Sequence, residues 1–343
     1  MMNDVSRIPL LSVSGLTVQF ETADGPFQAV EDLTFEMHER ERVAVVGESG
    51  SGKSMTMRSI LRLVPRPGRI VSGDIHFAGK DVLRMRAKQM MALRGSEIAL
   101  IFQDPMSSWN PVRTIGAQIR EAMTLHSKVK PQAIRARAIE LLKHVGISSP
   151  EKRVDAYPHE FSGGMRQRGM IGMGLANHPR LLIADEPTTA LDVTVQDQVI
   201  RLLRDVNSVH GTALLVVTHN LALVASLCDR VIVMYAGRVV EQGTTEQIFN
   251  DPQHPYTWGL LKSVPRMDHA AGELLYGIPG QPIDPSLRLQ GCRFQPRCAF
   301  REPRCEKEEP ALEAVGENHL ARCWVTMKCV DRAAAVIVEQ ATS

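Results

Sequence analysis

Long apolar runs are missing from this chain of 343 residues. No stretch approaches the roughly 18 consecutive apolar residues that a membrane-spanning helix needs. The start of the chain carries Asp4 and Arg7 ahead of a very short apolar patch, Ile8 to Leu11, which is not the pattern of a signal peptide. We therefore expect a protein that stays in the cytosol.

A strong charge imbalance and internal repeats are also missing. The formal net charge of +2 gives no reason to expect a nucleic-acid partner. An apolar content of 44% and a charged content of 23% are ordinary for a globular protein. We find no convincing repeat or low-complexity tract, and the length leaves room for one large or two modest domains.

Cysteine is scarce until the C-terminal part of the chain, where five of the six cysteines occur: Cys292, Cys298, Cys305, Cys323 and Cys329. Thiols in the cytosol are usually kept reduced. The clustering therefore favours ligation of a metal or a cluster over disulfides.

The most informative segment is Gly47–Ser54, which fits the pattern G-x-x-x-x-G-K-[ST]. It follows the β-branched run Arg42 to Val46, which reads as a buried parallel strand, and precedes a predicted helix from Met55 to Leu63. Such a loop turns its backbone N–H groups toward phosphate oxygens. We expect these residues to bind a nucleotide: Gly47, Ser49, Gly50, Ser51, Gly52, Lys53 for the β- and γ-phosphates, and Ser54 for Mg²⁺.

The remaining pattern predicts an α/β fold. Short alternating strands precede the loop, and a period near 3.6 from about Ile115 to Val145 predicts a helical insert. Further strands are predicted at 73–77, 98–102, 181–184, 213–217 and 230–234. A Pro-rich, Cys-bearing tail from about Asp251 differs enough in composition to form a separate small domain.

Two carboxylates, Asp185 and Glu186, end the apolar strand at Leu181 to Ala184. In a phosphate-loop protein we expect Asp185 to bind Mg²⁺ and Glu186 to activate water. The alternative is a strand that ends in a solvated acidic turn. Gln103 ends another strand and could reach Mg²⁺ or the attacking water, while His219 follows a third. Ser162-Gly163-Gly164 opens a predicted helix and forms a second anion-binding N-terminus.

The order of these motifs along the chain resembles that in the ATP-binding subunit of an ABC transporter. The motifs are, in order, the phosphate loop, Gln103, Ser162-Gly163-Gly164, Asp185-Glu186, Ala190-Leu191-Asp192 and His219. The resemblance implies a P-loop NTPase (RecA-like) core with an antiparallel β lead-in, and two subunits that sandwich two ATP molecules. Ser162, Gly163 and Gly164 would face the partner's ATP. The signature departs from the usual Leu-Ser-Gly-Gly-Gln, because Phe161 and Met165 stand at its outer positions.

The resemblance also implies that an aromatic ring ahead of the sheet stacks on adenine. Phe20 is the first candidate and Phe27 the rival, because the insertion Glu21 to Pro26 blurs the register. A core role is open for both rings.

Longer segments narrow the resemblance to the dipeptide/oligopeptide (also nickel) importer branch, and they include Ile101 to Met106, Tyr157 to Arg168 and His254 to Thr257. This implies an ATPase domain at 1–250, with a helical subdomain at about 104–175, and an extension at 251–343. The implied partners are two integral membrane permeases, a paralogous ATPase in a heterodimer and an extracytoplasmic solute-binding protein. The chain would lie peripherally on the cytoplasmic face of the cell membrane.

Cys292-x₅-Cys298-x₆-Cys305-x₁₇-Cys323 resembles the C-terminal motif of the D-type subunit in this branch, in which four cysteines are taken to hold a [4Fe–4S] cluster. From spacing alone the gaps suit a cluster better than Zn²⁺, which prefers tighter pairs, and free thiols are a third reading. Cys329 is spare.

The resemblance implies an enzyme that hydrolyses ATP, with Glu186, His219 and Gln103 as catalytic residues, and so powers peptide import. A nickel or other solute importer of the same branch is the alternative, and a non-transport ABC ATPase is the reading from another class. The sequence does not indicate which solute is transported.

Overall fold

The computed structural model describes residues 8–23, 25–126, 131–264, 277–283, 289–325 and 327, so Cys329 lies outside the described residues. The strands in this part of the chain are β1 (Leu11–Thr22), β2 (Gly25–Met37), β3 (Arg42–Val46), β4 (Arg69–Phe77), β5 (Lys80–Asp81), β6 (Ile98–Ile101), β7 (Leu181–Asp185), β8 (Ala213–Thr218), β9 (Arg230–Tyr235), β10 (Arg238–Thr244), β11 (Glu313–Gly316) and β12 (His319–Ala321).

The α-helices are α1 (Lys53–Ile60), α2 (Ala87–Leu93), α3 (Pro105–Ser108), α4 (Ile115–His126), α5 (Pro131–His144), α6 (Pro150–Arg153), α7 (Gly163–Gly174), α8 (Val193–His210), α9 (Leu221–Leu227), α10 (Thr245–Asn250) and α11 (Pro255–Lys262). None of the helices in the described part of the chain combines the length and the apolar character that a membrane span needs.

The chain divides into two compact units. Of the described residues, the first unit contains 8–11, Met37–Arg42 and Phe77–Thr218, and the second contains Ser12–Glu36, Val43–His76 and those from His219 onward. The predicted domain boundary at residue 250 stays a prediction.

In the first unit, β6, β7 and β8 form parallel pairs, with Ile101 opposite Ala184 and Asp185 opposite Val217. Every residue of β7 and β8 is buried. Strands buried on both faces need apolar side chains throughout, which is why these segments read as continuous apolar runs. The helical insert predicted from about Ile115 to Val145 contains α4 and α5, which pack against each other and against α7.

In the second unit, β3 pairs in parallel with β9, and β9 pairs antiparallel with β10. The lead-in strands lie in the order β2, β1, β4. Strands β11 and β12, which lie beyond residue 250, extend the sheet that contains β9 and β10, because β12 pairs with β10 and β11 pairs with β12.

One fully buried carboxylate, Glu241 on β10, anchors the C-terminal segment. It accepts hydrogen bonds from the backbone N–H groups of Gln253 (2.6 Å) and His254 (2.9 Å), and its Oε1 lies 2.7 Å from Nε2 of His319. A carboxylate can be buried at tolerable cost when donors satisfy it in this way. The sequence had not singled out this cluster.

Candidate functional site

The phosphate loop leaves the end of β3 and enters α1, as predicted. Its backbone requires glycine at Gly47 (φ 149°) and Gly52 (φ 99°). A Cβ atom at Gly47 would lie 2.2 Å from the carbonyl oxygen of Met234, and one at Gly52 would lie 2.6 Å from that of Ala29. The close approach of these backbones therefore explains the glycines of the motif.

Lys53 lies at the start of α1 and is buried, with its Nζ donating to the carbonyl oxygens of Gly47 (2.8 Å) and Glu48 (2.7 Å). Ser49 and Gly50, at the tip of the loop, are exposed, and Ser54 is half-buried in the first turn of α1. The loop thus places an ammonium group and a helix N-terminus beside exposed backbone, which is an arrangement suited to phosphate oxygens.

Asp185 is the buried last residue of β7, and Glu186 follows it with an unusual positive φ of 46°. The backbone N–H of Glu186 donates to Val217 on the neighbouring strand (2.7 Å). Its Oε2 accepts a hydrogen bond from the Thr189 hydroxyl at 2.7 Å. No pattern in the sequence pointed to Thr189, which orients the carboxylate of the predicted base.

Gln103, directly beyond β6, reaches the same carboxylate: its Nε2 donates to Glu186 Oε2 at 3.1 Å. The structure therefore brings together two of the predicted catalytic residues. The loop after Gln103 is fastened by Trp109, which is 3% exposed and donates from Nε1 to the carbonyl oxygen of Arg166 on α7 (3.2 Å). This contact joins the Gln103 loop to the helix that begins at the Ser-Gly-Gly segment.

Ser162 caps α7, because its Oγ accepts a hydrogen bond from the Met165 backbone N–H (3.3 Å). Ser162 and Gly163 are exposed, whereas Gly164 is buried, and a Cβ there would lie 2.5 Å from Cγ1 of Val195. Phe161, one of the departures from the usual signature, is buried in the core. The start of α7 is therefore exposed, and its anion-binding role stays a prediction.

Phe20 and Phe27 stack on each other, with ring centroids 5.5 Å apart and planes 17° apart. The ring of Phe20 also covers Gly68, where a Cβ would lie 2.5 Å from it. The choice between the two rings as the adenine contact therefore stays a prediction. His219, directly after β8, is exposed, and its catalytic role stays a prediction as well.

The four motif cysteines, Cys292, Cys298, Cys305 and Cys323, line one small cavity with Phe294 and Trp324. None of them is in a disulfide. Burial raises the pKa of the Cys292 thiol to about 12 and that of Cys298 to about 11. The cavity measures about 10 Å³, room for about one water molecule.

Among the residues that the structure describes, no three His, Cys, Asp or Glu side chains are placed to hold one metal ion. The predicted iron–sulfur ligands are thus gathered around one cavity but not arranged as a ligand set. The donor chemistry fits a cluster or Zn²⁺, since four thiols share the cavity.

Two further residues, Arg297 and Tyr256, contact the phosphate loop and were not predicted from the sequence. Arg297 lies next to a motif cysteine, and Tyr256 lies within the segment His254 to Thr257. Arg297, which precedes Cys298, donates to both carboxylate oxygens of Glu48, and the hydroxyl of Tyr256 accepts from the Glu48 backbone N–H at 2.8 Å. Only their proximity to recognised motifs could have pointed to them.

Comparison with known proteins supports the reading of these motifs. Residues 30–189 match the model of the ABC transporter family, and residues 240–305 match that of the oligopeptide/dipeptide transporter C-terminal region. The second match includes three of the four motif cysteines, since Cys323 lies beyond it.

Among curated proteins, the oligopeptide transport ATP-binding protein OppD of Bacillus subtilis is 47% identical over 317 residues, covering 92% of this chain and 88% of that protein. The dipeptide transport ATP-binding protein DppD of Escherichia coli K12 is 46% identical over 314 residues, covering 92% and 96%.

Solved structures share the fold. The dimeric ATP-binding cassette MJ0796, bound to ADP and phosphate, has a TM-score of 0.62 at 24% identity, covering 68% of this chain and 98% of that one. The structure of cbiO1 from Clostridium perfringens has a TM-score of 0.61 at 28% identity, covering 71% and 91%. The predicted P-loop NTPase fold is therefore confirmed.

Proposed function

Since this chain belongs to the ABC transporter family, among the oligopeptide and dipeptide transport ATP-binding proteins, we propose that it binds and hydrolyses ATP to power the import of di- or oligopeptides. The observation that carries this proposal is the likeness to OppD over 317 residues, which includes the C-terminal segment as well as the ATPase motifs. A shared ATPase core alone would not have favoured peptide import.

The residues of the site have the chemistry for ATP hydrolysis. Backbone N–H groups of the loop Gly47–Ser54 and the ammonium group of Lys53 would hold the phosphates. Ser54, Gln103 and Asp185 would supply oxygen ligands, which Mg²⁺ prefers, and the ion would neutralise charge on the phosphates.

Glu186 would accept the proton of the attacking water. Its carboxylate is already oriented by Thr189 and Gln103. His219 would assist at the γ-phosphate, and Phe20 would stack on adenine. Gln103, which contacts Glu186 and begins the loop that Trp109 fastens to α7, would transmit the state of the site to a permease.

The proposed assembly pairs this chain with a paralogous ATPase, so that the exposed Ser162 and Gly163, with Gly164, complete the partner's ATP site. Two integral membrane permeases and an extracytoplasmic solute-binding protein complete the transporter. In this arrangement the chain lies peripherally on the cytoplasmic face of the membrane.

The experiment for peptide import is reconstitution of the assembled transporter in vesicles, with ATP hydrolysis measured while the solute-binding protein carries different cargoes. We expect di- or oligopeptides to stimulate hydrolysis and to accumulate in the vesicle. Stimulation by nickel alone would favour the alternative importer, and hydrolysis that no permease or cargo changes would favour a non-transport ATPase.

The cysteine pocket supports a second part of the proposal, that this chain is a D-type subunit whose Cys292, Cys298, Cys305 and Cys323 hold a [4Fe–4S] cluster, with Zn²⁺ as the alternative. The four thiols share one cavity, which supports the proposal, and a bound cation would offset the cost of ionising buried thiols. The cavity must open to admit a cluster, because it now holds about 10 Å³. Such a cluster would staple a segment that has little core of its own.

The test is anaerobic purification followed by analysis of iron, acid-labile sulfide and zinc. We expect iron and sulfide in equal amounts, lost in Cys298→Ser and kept in Cys228→Ser, which removes the buried cysteine outside the motif. Zinc without sulfide would favour the alternative, and the absence of both would leave structural thiols.

A further inference from the structure

The C-terminal segment holds the phosphate loop by its second residue, Glu48. The guanidinium of Arg297 donates from Nη1 to Glu48 Oε2 (2.7 Å) and from Nη2 to Oε1 (3.1 Å). The Arg297 side chain is 4% exposed and that of Glu48 is 25% exposed. A bidentate pair of this kind fixes the direction of the carboxylate as well as compensating its charge.

Arg297 is itself fixed by the segment that carries it. Its Nε donates to the carbonyl oxygen of Pro279 (2.9 Å), and its guanidinium lies 5.8 Å from the ring centroid of Tyr235. It ends a short 3-10 turn, Gln295–Arg297, directly before Cys298. The position of the guanidinium is therefore set by the fold of the cysteine-containing segment.

Tyr256 holds the backbone of the same residue. Its hydroxyl accepts from the N–H of Glu48 (2.8 Å), and its fully buried ring packs on Tyr235 and Phe294, with centroids 4.7 and 5.4 Å apart. Its own N–H donates to Nδ1 of His254 (3.0 Å). Side chain and main chain of Glu48 are thus both bound by residues from beyond position 250.

These contacts with Glu48 affect nucleotide binding, because Glu48 places a carboxylate within the phosphate loop. A carboxylate in a loop that binds a triphosphate repels the ligand unless a cation compensates it. The carbonyl oxygen of Glu48 also accepts from Lys53 Nζ at 2.7 Å, so a displaced Glu48 would displace the lysine that we propose to contact phosphate. A loop held in its binding shape loses less freedom when the nucleotide arrives.

We propose that Arg297 and Tyr256 are positioning residues of the ATP site, which act through Glu48 by neutralising its carboxylate and fixing its backbone. This inference rests on the proposed binding of ATP at Gly47–Ser54. In this proposal the C-terminal segment contributes to nucleotide binding and does not serve only in assembly of the transporter.

The test measures the dissociation constants of ATP and ADP for the full chain by equilibrium dialysis. In Arg297→Gln we expect ATP to bind at least about tenfold more weakly, because one partner of a partly buried charge pair is removed. The loss should be smaller for ADP, which carries less charge. Adding Glu48→Gln to the same chain removes the unpaired carboxylate and should restore most of the ATP affinity.

Two further variants separate positioning from general damage. Arg297→Lys keeps the charge without the fork and should weaken ATP binding less than Arg297→Gln. Arg301→Gln, at an exposed arginine of the same segment, is the matched control and should bind ATP like the wild type. Tyr256→Phe leaves the N–H of Glu48 without its acceptor and should weaken binding in the same direction.

A folded Arg297→Gln chain with unchanged ATP affinity would overturn the inference. If that variant does not fold, the Glu48→Gln/Arg297→Gln double variant and Arg297→Lys decide the matter. Weak ATP binding in the folded double variant contradicts charge compensation, whereas affinity close to that of the wild type in both chains supports it. A wild-type chain that binds no ATP would instead refute the proposed function.

Discussion

The buried histidine His254 should make the stability of this protein fall as the pH drops below neutrality. Burial, and secondly the charge of Arg322, lowers the pKa of His254 to about 3. The unfolded chain takes up a proton near pH 6.5 that the folded chain refuses. The contribution to stability is therefore complete above pH 6.5 and is lost progressively as the pH falls toward 3.

The expected magnitude follows from the size of the shift. Each pH unit between 6.5 and 3 costs about 1.4 kcal/mol of unfolding free energy, which makes about 2 kcal/mol at pH 5. The assay is urea unfolding at pH 5, 6, 7 and 8. In His254→Asn, an acceptor that does not titrate keeps the cap on the N–H of Tyr256, so the pH dependence should become flatter by about one proton.

His38→Asn, at an exposed position, is the control and should keep the slope of the wild type. Parallel pH dependences for the wild type and His254→Asn would refute the reasoning.

Three other predictions follow from single contacts. Gly47→Ala places a Cβ 2.2 Å from the carbonyl oxygen of Met234 and should lower the unfolding free energy by at least about 2 kcal/mol in urea titrations, with loss of ATP binding; wild-type stability would contradict this. Glu241→Gln should cost about 3 kcal/mol in the same titrations, because a fully buried carboxylate with backbone and imidazole partners loses its charge. Thr189→Val removes the 2.7 Å hydrogen bond to Glu186 and should slow phosphate release from the assembled transporter about tenfold, while the ATP dissociation constant stays unchanged; an equal rate would show that Thr189 does not orient the base.

The sequence predicted well those parts of the site in which the local backbone geometry or burial restricts the residue type. Gly47 and Gly52 indicate the phosphate loop, because only glycine tolerates the close approach of neighbouring backbone carbonyl groups at these two positions. Strands β7 and β8 were recognisable because burial on both faces demands an unbroken apolar run. The helix cap at Ser162 is likewise a local device.

The parts that were missed depend on residues far apart in the chain. Arg297 and Glu48 are separated by 249 positions, and no periodicity or spacing links an arginine in a cysteine-rich segment with a carboxylate in a phosphate loop. The strands β11 and β12 were also missed, since segments of 4 and 3 residues are too short to show an alternation. The cluster around Glu241 needs β10, α11 and β12 together, which only the folded chain supplies.

The proposed ATP hydrolysis that drives transport depends most directly on Glu186 as the base that activates water. Glu186→Gln keeps the shape of the side chain and removes its basicity, which should slow hydrolysis by a factor of about 10² to 10⁴. The measurement is phosphate release by the reconstituted transporter, alongside retention of bound ATP, when cargo is saturating. We predict that the variant retains ATP and releases almost no phosphate; turnover at the wild-type rate would contradict the assignment.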